Sequence, residues 1–187
     1  PRIPAERGLL CYERGMTSED LATFIERRRR FVEAIGHGLG IIPAGREAAR
    51  NADTDFEFRQ DSDFYFLTGF DEPDAVAVFN PAHAKERFVL FVRPRDRELE
   101  IWTGRRAGVE GAIATYGADA AYTIDELDAR LREYAVDRAG LVYRLGNPHH
   151  DARVIRLVNE MRGVRVRGLV TPSGIDDPGP LLQEMRL

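Results

Sequence analysis

Asp53, Asp55, Asp61 and Asp63 stand close together around Arg59, and they are the densest group of chemistry-bearing side chains in the sequence. Carboxylates collected in this way are the raw material of a divalent-ion site, and two-metal phosphatases and nucleases use such acids from neighbouring rigid elements. These four are crowded into one expected loop. They lack the glycine and the closing glutamate of a calcium loop, and Arg59 offers a planar fork that pairs with carboxylate. An ion-paired loop is the plainer use, and a stand-alone metal-dependent, nuclease-like domain is the alternative.

The remaining candidates are few. A nucleophilic triad needs a base, and the histidines are His37, His83, His149 and His150. His37 falls at a helix end and His83 in a turn beside Pro81. In His149-His150-Asp151 adjacent side chains point apart, so a shared ion is disfavoured and capping of the next helix by His150 or Asp151 is expected. No Walker A loop, Gly-x-Ser-x-Gly elbow or His-Glu-x-x-His pair occurs. Gly36-His37-Gly38-Leu39-Gly40 follows a helix and opens a strand, the reverse of a dinucleotide loop, so Gly36 is expected as a helix C-cap. Cys11 is the only cysteine, which leaves no disulfide within the chain, no thiolate cluster and no redox pair. Trp102 is the only tryptophan and has Glu100, Thr103, Gly104, Arg105 and Arg106 as neighbours. A core anchor and a surface or interface position are both open for it.

The elements that must position these groups follow from spacing. Thr17-Ser18-Glu19-Asp20 supplies an N-cap, and Leu21, Phe24, Ile25, Phe31, Val32 and Ile35 recur at helical intervals, which predicts a helix from about Ser18 to Ile35. The run from Arg27 to Arg30 is expected as a solvated face of that helix, within reach of Glu26 and Glu33. Leu39 to Ile42 predicts a short buried strand and Arg50 to Asp55 a loop. Phe64 to Leu67, ended by Gly69 and turned through Asp71-Glu72-Pro73, predicts a strand in an antiparallel hairpin with Ala75 to Phe79. Arg87 to Val92 is a further strand and Glu98 to Trp102 an extended segment. Helices are expected over Val109 to Tyr116, closed by Gly117, and over Ile124 to Tyr134, capped by Thr123. A third carries Val154, Leu157, Val158 and Met161 on one face and stops at Gly163. Leu141 to Leu145 and Val164 to Val170 read as strands. The architecture is thus α/β, a mixed sheet with flanking helices.

The chain has 187 residues, of which 43% are hydrophobic and 31% charged, the composition of one ordinary globular domain. The net charge is −4, which argues against a dedicated nucleic-acid binder. Lys85 is the only lysine, so nearly every cation is an arginine fork suited to carboxylates and aromatic faces. No apolar run approaches the roughly 20 residues needed to span a bilayer, and no signal peptide pattern opens the sequence. A cytoplasmic location is expected. Residues 171–180 are rich in proline and turn formers and read as a linker. Residues 181–187 begin an amphipathic turn, so the expectation is a domain over 1–170 with 171–187 leading into a further domain.

Several linked motifs resemble a known family. Phe24 to Arg30 with Ala34, Asn51-x-Asp53 and the run from Phe58-Arg59-Gln60-Asp61-Ser62-Asp63 through Gly69-Phe70-x-Glu72-Pro73-Asp74-Ala75 carry the first half of the likeness. Leu90-Phe91-x-x-Pro94-Arg95-Asp96 and Glu100-Ile101-Trp102-x-Gly104-Arg105-Arg106 follow in order. Together they resemble the N-terminal domain of bacterial Xaa-Pro aminopeptidase, or aminopeptidase P, and Glu184-Met185-Arg186-Leu187 is similar to the segment just before that enzyme's catalytic domain.

The resemblance implies a creatinase- and prolidase-type N-terminal domain: a single α/β domain with a mixed, largely antiparallel six-stranded sheet, ribonuclease H-like in shape. It implies a parent enzyme that removes an N-terminal residue preceding proline, with two manganese ions held by a separate C-terminal catalytic domain. No catalytic or metal-ligating residue of that kind is assigned to this chain, which alone is expected to be inactive. Implied partners are that catalytic domain, further copies in a dimer or tetramer, and short Xaa-Pro peptides, with neither nucleic acid nor membrane. The implied role is to assemble the oligomer and to wall the active site. Trp102 matches a tryptophan that enters a neighbouring subunit's site, and Asp53 an aspartate near the substrate end of the cleft. An arginine of the last strand falls in register with Val166, between Arg165 and Arg167. A non-catalytic binding domain is the alternative within the same fold.

Overall fold

Val76-Ala77-Val78-Phe79 and Phe88-Val89-Leu90-Phe91-Val92 are apolar at every position, the pattern of strands covered on both faces. The computed structural model describes residues 16–51, 54–96, 98, 100–101, 104–163 and 170–187, and in it these runs are β4 (Val76–Phe79) and β5 (Phe88–Val92), buried throughout. They pair antiparallel, Val78 opposite Val89, and β4 pairs antiparallel with β1 (Leu39–Pro43), Ile41 opposite Val78. Outside this centre the pairings are parallel: β6 (Ala120–Thr123) on β5, β7 (Leu141–Val142) on β1 and β8 (Ile175–Asp176) on β7. The six-stranded mixed sheet runs β6-β5-β4-β1-β7-β8, so the antiparallel character expected of the sheet belongs to its middle.

Period-two alternation sorts the strand side chains into two cores. Ala77 and Phe79 face one side with Phe31, Phe64, Phe70 and Leu90. Val76 and Val78 face the other with Leu131, Tyr143, Val154 and Leu157. The first core is covered by α1 (Ser18–Ile35), α2 (Ser62–Thr68), α3 (Gly108–Ala114) and α6 (Gly179–Glu184). The second is covered by α4 (Leu127–Ala135), entered through a single tight turn over Ile124–Glu126, and α5 (Asp151–Gly163). The four-residue buried stripe of α5 stands where its spacing predicts, whereas the helix expected from Ile124 is α-helical only from Leu127, and Thr123 makes no side-chain cap bond.

α1 begins at a reciprocal capping box, with Asp20 N–H donating to Thr17 Oγ1 at 3.2 Å and Thr17 N–H to the Asp20 carboxylate at 3.2 Å. Gly36 closes it at φ 58°, as expected. The arginine run is not one solvated face. Arg29 pairs with Glu26 and Glu33, whereas Arg28 is buried and Arg27 stacks on Phe66.

Four expectations are corrected. Residues 64–67 are helical, not the first strand of a hairpin, because Asp61 Oδ1 accepts the N–H groups of Asp63 and Phe64, both at 2.9 Å, and Gly69 ends the helix in the left-handed region. Phe64, Leu67 and Thr68 then share the buried face. Glu98, Glu100 and Ile101 are helical rather than extended, with Glu98 N–H on Asp96 Oδ1 at 3.0 Å and Glu100 N–H on Asp96 O at 2.8 Å. Around residues 50–55 the loop is a small ribbon, β2 (Ala49–Asn51) antiparallel to β3 (Thr54–Asp55). The strand at Leu141 stops at Val142.

Of the strand expected at 164–170, residues 164–169 lie outside the described residues. The stretch 171–187 supplies β8 and α6, and Leu182 and Met185 pack into the first core.

Candidate functional site

β1, β7 and β8 run parallel to one another, so their carboxyl ends emerge at one edge of the sheet. Open α/β sheets place ligands in the crevice outside such ends. A cleft of about 580 Å³ lies there, walled by the end of β1 and residues 44–48 after it, 144–149 after β7, and Pro178 after β8.

Gln60 holds one wall. Its Oε1 accepts Gly45 N–H at 2.6 Å and Asp61 N–H at 2.8 Å, and its Nε2 donates to Phe70 O at 3.2 Å and Glu72 O at 2.9 Å. A Cβ on Gly45 would stand 2.9 Å from Arg59 O, so this close approach needs glycine. Arg46 Nε pairs with Asp74 at 2.9 Å beside it.

Asp63 organises the opposite rim. Its carboxylate takes Arg144 at 3.1 Å and Arg186 at 2.7 Å, while Arg144 also reaches Asp177 at 3.2 Å. Arg186 donates to Ser62 O at 2.9 Å and lies over the Phe66 ring, which Arg27 also contacts. The loop 144–149 is closed by Asp151, which accepts Tyr143 OH at 2.6 Å and Asn147 N–H at 3.1 Å. Tyr143 holds the Asp151 carboxyl below its usual range, and burial pushes the Tyr143 hydroxyl up. Asp151 therefore closes the turn before α5 instead of capping that helix's own N–H groups. His150 is buried, its Nδ1 3.0 Å from Arg153 Nη1; burial first, then Arg153, push its pKa down to about 4.

A second cleft of about 560 Å³ opens beside α3, between Glu72, Arg95, Arg106 and Tyr116. Ala107 N–H donates to Glu72 Oε1 at 2.5 Å, Arg106 Nη1 to Pro94 O at 3.2 Å, and Arg95 grips both Glu100 oxygens at 3.0 Å. Burial raises the Glu72 pKa, opposed by the Ala107 N–H and the charges of Arg93 and Arg106.

Asp53 and Trp102, the two residues assigned to the substrate cleft, lie outside the described residues, as do Arg165, Val166 and Arg167. Their flanks are described. Asp53 follows β2 and precedes β3, and this ribbon is joined by Phe56 N–H to the carbonyl of Ala48, a residue of the first cleft, at 2.9 Å. Trp102 follows the exposed Ile101 and precedes Gly104, φ 81°. At Asp61 and Asp63 the divalent-ion reading of the four acids finds no support, and Asp53 lies outside the described residues. Asp61 spends its oxygen on the α2 cap and Asp63 on two arginines, and among the described residues no three His, Cys, Asp or Glu side chains converge as metal ligands. Gln60 was missed because three of its four partners, Gly45, Phe70 and Glu72, lie ten or more positions away, and no local pattern announces them.

The family description "Aminopeptidase P, N-terminal domain" matches residues 24–143. The chain belongs to that family. It is 34% identical over 168 residues to Xaa-Pro aminopeptidase of Escherichia coli (strain K12), covering 88% of this chain and 38% of the relative. It is 36% identical over 102 residues to human Xaa-Pro aminopeptidase 3, covering 52% and 20% of the two chains. Among solved structures, Pseudomonas aeruginosa aminopeptidase PepP superposes with a TM-score of 0.81 at 38% identity, over 87% of this chain and 37% of that one. The chain thus spans about two fifths or less of the length of these relatives. The aminopeptidase P N-terminal domain fold accounts for the mixed six-stranded sheet. Among the described residues, no helix is long and apolar enough to cross a membrane.

Proposed function

We propose that this chain is the wall and assembly domain of a Xaa-Pro aminopeptidase, an enzyme that removes the residue preceding an N-terminal proline bond. In this reading residues 171–187 lead into a C-terminal catalytic domain outside the chain, and that domain holds two manganese ions. In support, no three His, Cys, Asp or Glu side chains converge as metal ligands among the described residues. The domain narrows access to the active site so that short peptides enter, and it joins copies of the enzyme into a dimer or tetramer in the cytoplasm. Asp53 lines the substrate end of the cleft, and Trp102 reaches the site of a neighbouring subunit.

The observation that carries this reading is the ribbon flanking Asp53, attached through Ala48 to a cleft whose rim acids Asp61 and Asp63 are already committed to capping and ion pairs. Such a cleft can shape and exclude, and Asp61 and Asp63, bound to the α2 cap and to two arginines, are not a spare acid pair for hydrolysis. The test is Trp102→Ala and Asp53→Ala in the complete enzyme. Both are expected to weaken cleavage of a Xaa-Pro tripeptide by tenfold or more, about 1.4 kcal/mol at the transition state. Unchanged cleavage in both variants would remove the assignment.

A further inference from the structure

Much of the charge around the cleft at the carboxyl ends of β1, β7 and β8 is consumed within the domain. Asp61 Oδ1 caps α2, the two oxygens of Asp63 take Arg144 and Arg186, and Arg144 turns its Nε to Asp177. These groups shape the rim. Pro43, Pro148 and Pro178 add apolar surface and have no N–H to donate.

Arg46 is held differently. Its Nε meets Asp74 Oδ1 at 2.9 Å, and neither Nη has a hydrogen bond among the described residues. An arginine fork can grip a carboxylate through two parallel N–H groups, and here the outer edge of the fork stays open. Asp74, in the left-handed region at φ 58°, is fixed in turn by its N–H on Gly45 O at 3.1 Å. One acid thus positions Arg46 while its Nη edge, on a side chain 44% exposed, faces outward for use.

The opposite wall adds donors. Asn147 Oδ1 accepts the His149 N–H at 3.2 Å, which leaves Nδ2 of Asn147 beside the exposed His149. The charges of Arg46 and His149 both act on the buried His150, so the two walls come together near it. Against these donors stands Glu47, exposed on the Arg46 wall.

Unspent donors beside apolar surface suit a ligand that carries a carboxylate on an apolar body. The carboxyl end of a short peptide has both. We propose that this cleft binds the carboxyl end of a short peptide, with the open edge of Arg46 on the terminal carboxylate. A carboxylate read at a fixed place also selects peptide length. That the peptide is the parent enzyme's substrate rests on the reading that the ribbon attached at Ala48 lines the substrate cleft; that the cleft takes a carboxylate does not.

The test titrates the 187-residue chain with the tripeptide Ala-Pro-Leu, as free acid and as C-terminal amide, and follows NMR amide shifts. The acid is expected to move Gly45, Asn147 and His149 and to bind about tenfold more tightly than the amide, the worth of one charge-assisted bond. Arg46→Gln is expected to abolish that difference and to leave Tm in place, because its pair with Asp74 is exposed. Glu47→Gln is expected to tighten the acid, since a like charge is removed. In the complete enzyme Arg46→Gln is expected to raise KM for the acid about tenfold with kcat held, so that acid and amide become equal substrates. No binding in the millimolar range, equal binding of acid and amide, or a difference that survives Arg46→Gln would overturn the carboxylate site. A KM for the acid that Arg46→Gln leaves untouched would overturn its use on the substrate, whereas the reading of the whole domain falls separately, through Trp102→Ala and Asp53→Ala.

Discussion

The guanidinium of Arg28 lies over the ring of Phe88, 4.2 Å from its centroid, in the core beneath α1. Its Nη1 and Nη2 have no hydrogen-bond partner among the described residues, and burial, against the charge of Asp119, brings its pKa down to about 10. Two effects compete here. A desolvated cation–π contact is worth about 2 kcal/mol, whereas the desolvation of a buried ion costs several.

Arg28→Met is therefore expected to stabilise the domain by about 1 kcal/mol, raising Tm by roughly 2–4 °C for a chain of this size. A thermal melt checks it. A fall in Tm of similar size would mean that the contact with Phe88 and the charge of Asp119 outweigh desolvation.

His150 gives a pH dependence whose sign is fixed by its folded pKa of about 4, below the ordinary 6.5. The unfolded chain takes up a proton as pH falls through 6.5 and the folded chain does not until about 4. The stabilisation is thus complete above pH 6.5 and is lost between 6.5 and 4, on the order of 2 kcal/mol after allowance for partial exposure. Arg153, His149 and Arg46 hold the pKa down and Asp74 opposes them. His150→Gln is expected to flatten Tm against pH in that window, and an unchanged slope in the variant would count against it.

Asp61→Ala tests the helical identity of residues 62–68. Loss of the two cap bonds at 2.9 Å is expected to cost about 1 kcal/mol by urea denaturation. A larger local effect is expected from Gly69→Ala, because a Cβ at φ 65° would stand 2.4 Å from Phe24 Cε2. Left-handed strain and overpacking together amount to roughly 2–4 kcal/mol. A neutral Gly69→Ala would contradict the described helix end.

Asp63→Ala separates Arg144 and Arg186 from their shared carboxylate. Both arginines are partly exposed, so the expected global loss is small, about 1 kcal/mol. The local effect is larger: amide exchange in residues 175–187 is expected to quicken while β4 and β5 stay protected. Uniform quickening across the sheet would show that Asp63 does not act on the tail.

How much of this was legible varied with the range of the interaction. The capping box at Thr17, the stripe of Val154, Leu157, Val158 and Met161, and the apolar runs of β4 and β5 are local patterns, and the sequence reading of them stands. Arg28 carried a usable signal, because it shares the buried stripe of Phe24, Phe31 and Val32, yet its place among four arginines masked it. α2 failed because Phe-Tyr-Phe-Leu favours strand on propensity, whereas the Asp61 cap and Gly69 decided the outcome. Asp61 had been weighed for metal or ion pairing when its use was the cap. Gln60 and Glu72 act on partners far away in sequence, which no spacing rule reaches. Asp53 stands out as one of four clustered acids and Trp102 as the only tryptophan, but their assignment to a substrate cleft comes from the family resemblance alone.

As proposed above, this domain walls and assembles a peptidase whose hydrolytic residues lie elsewhere. The most direct measurement is the purified 187-residue chain incubated with a Xaa-Pro peptide and manganese, followed by release of the N-terminal residue. No release above the buffer rate is expected. Metal-dependent release that survives further purification and vanishes on Asp61→Asn or Asp63→Asn would contradict the claim and return catalysis to the acids of this chain.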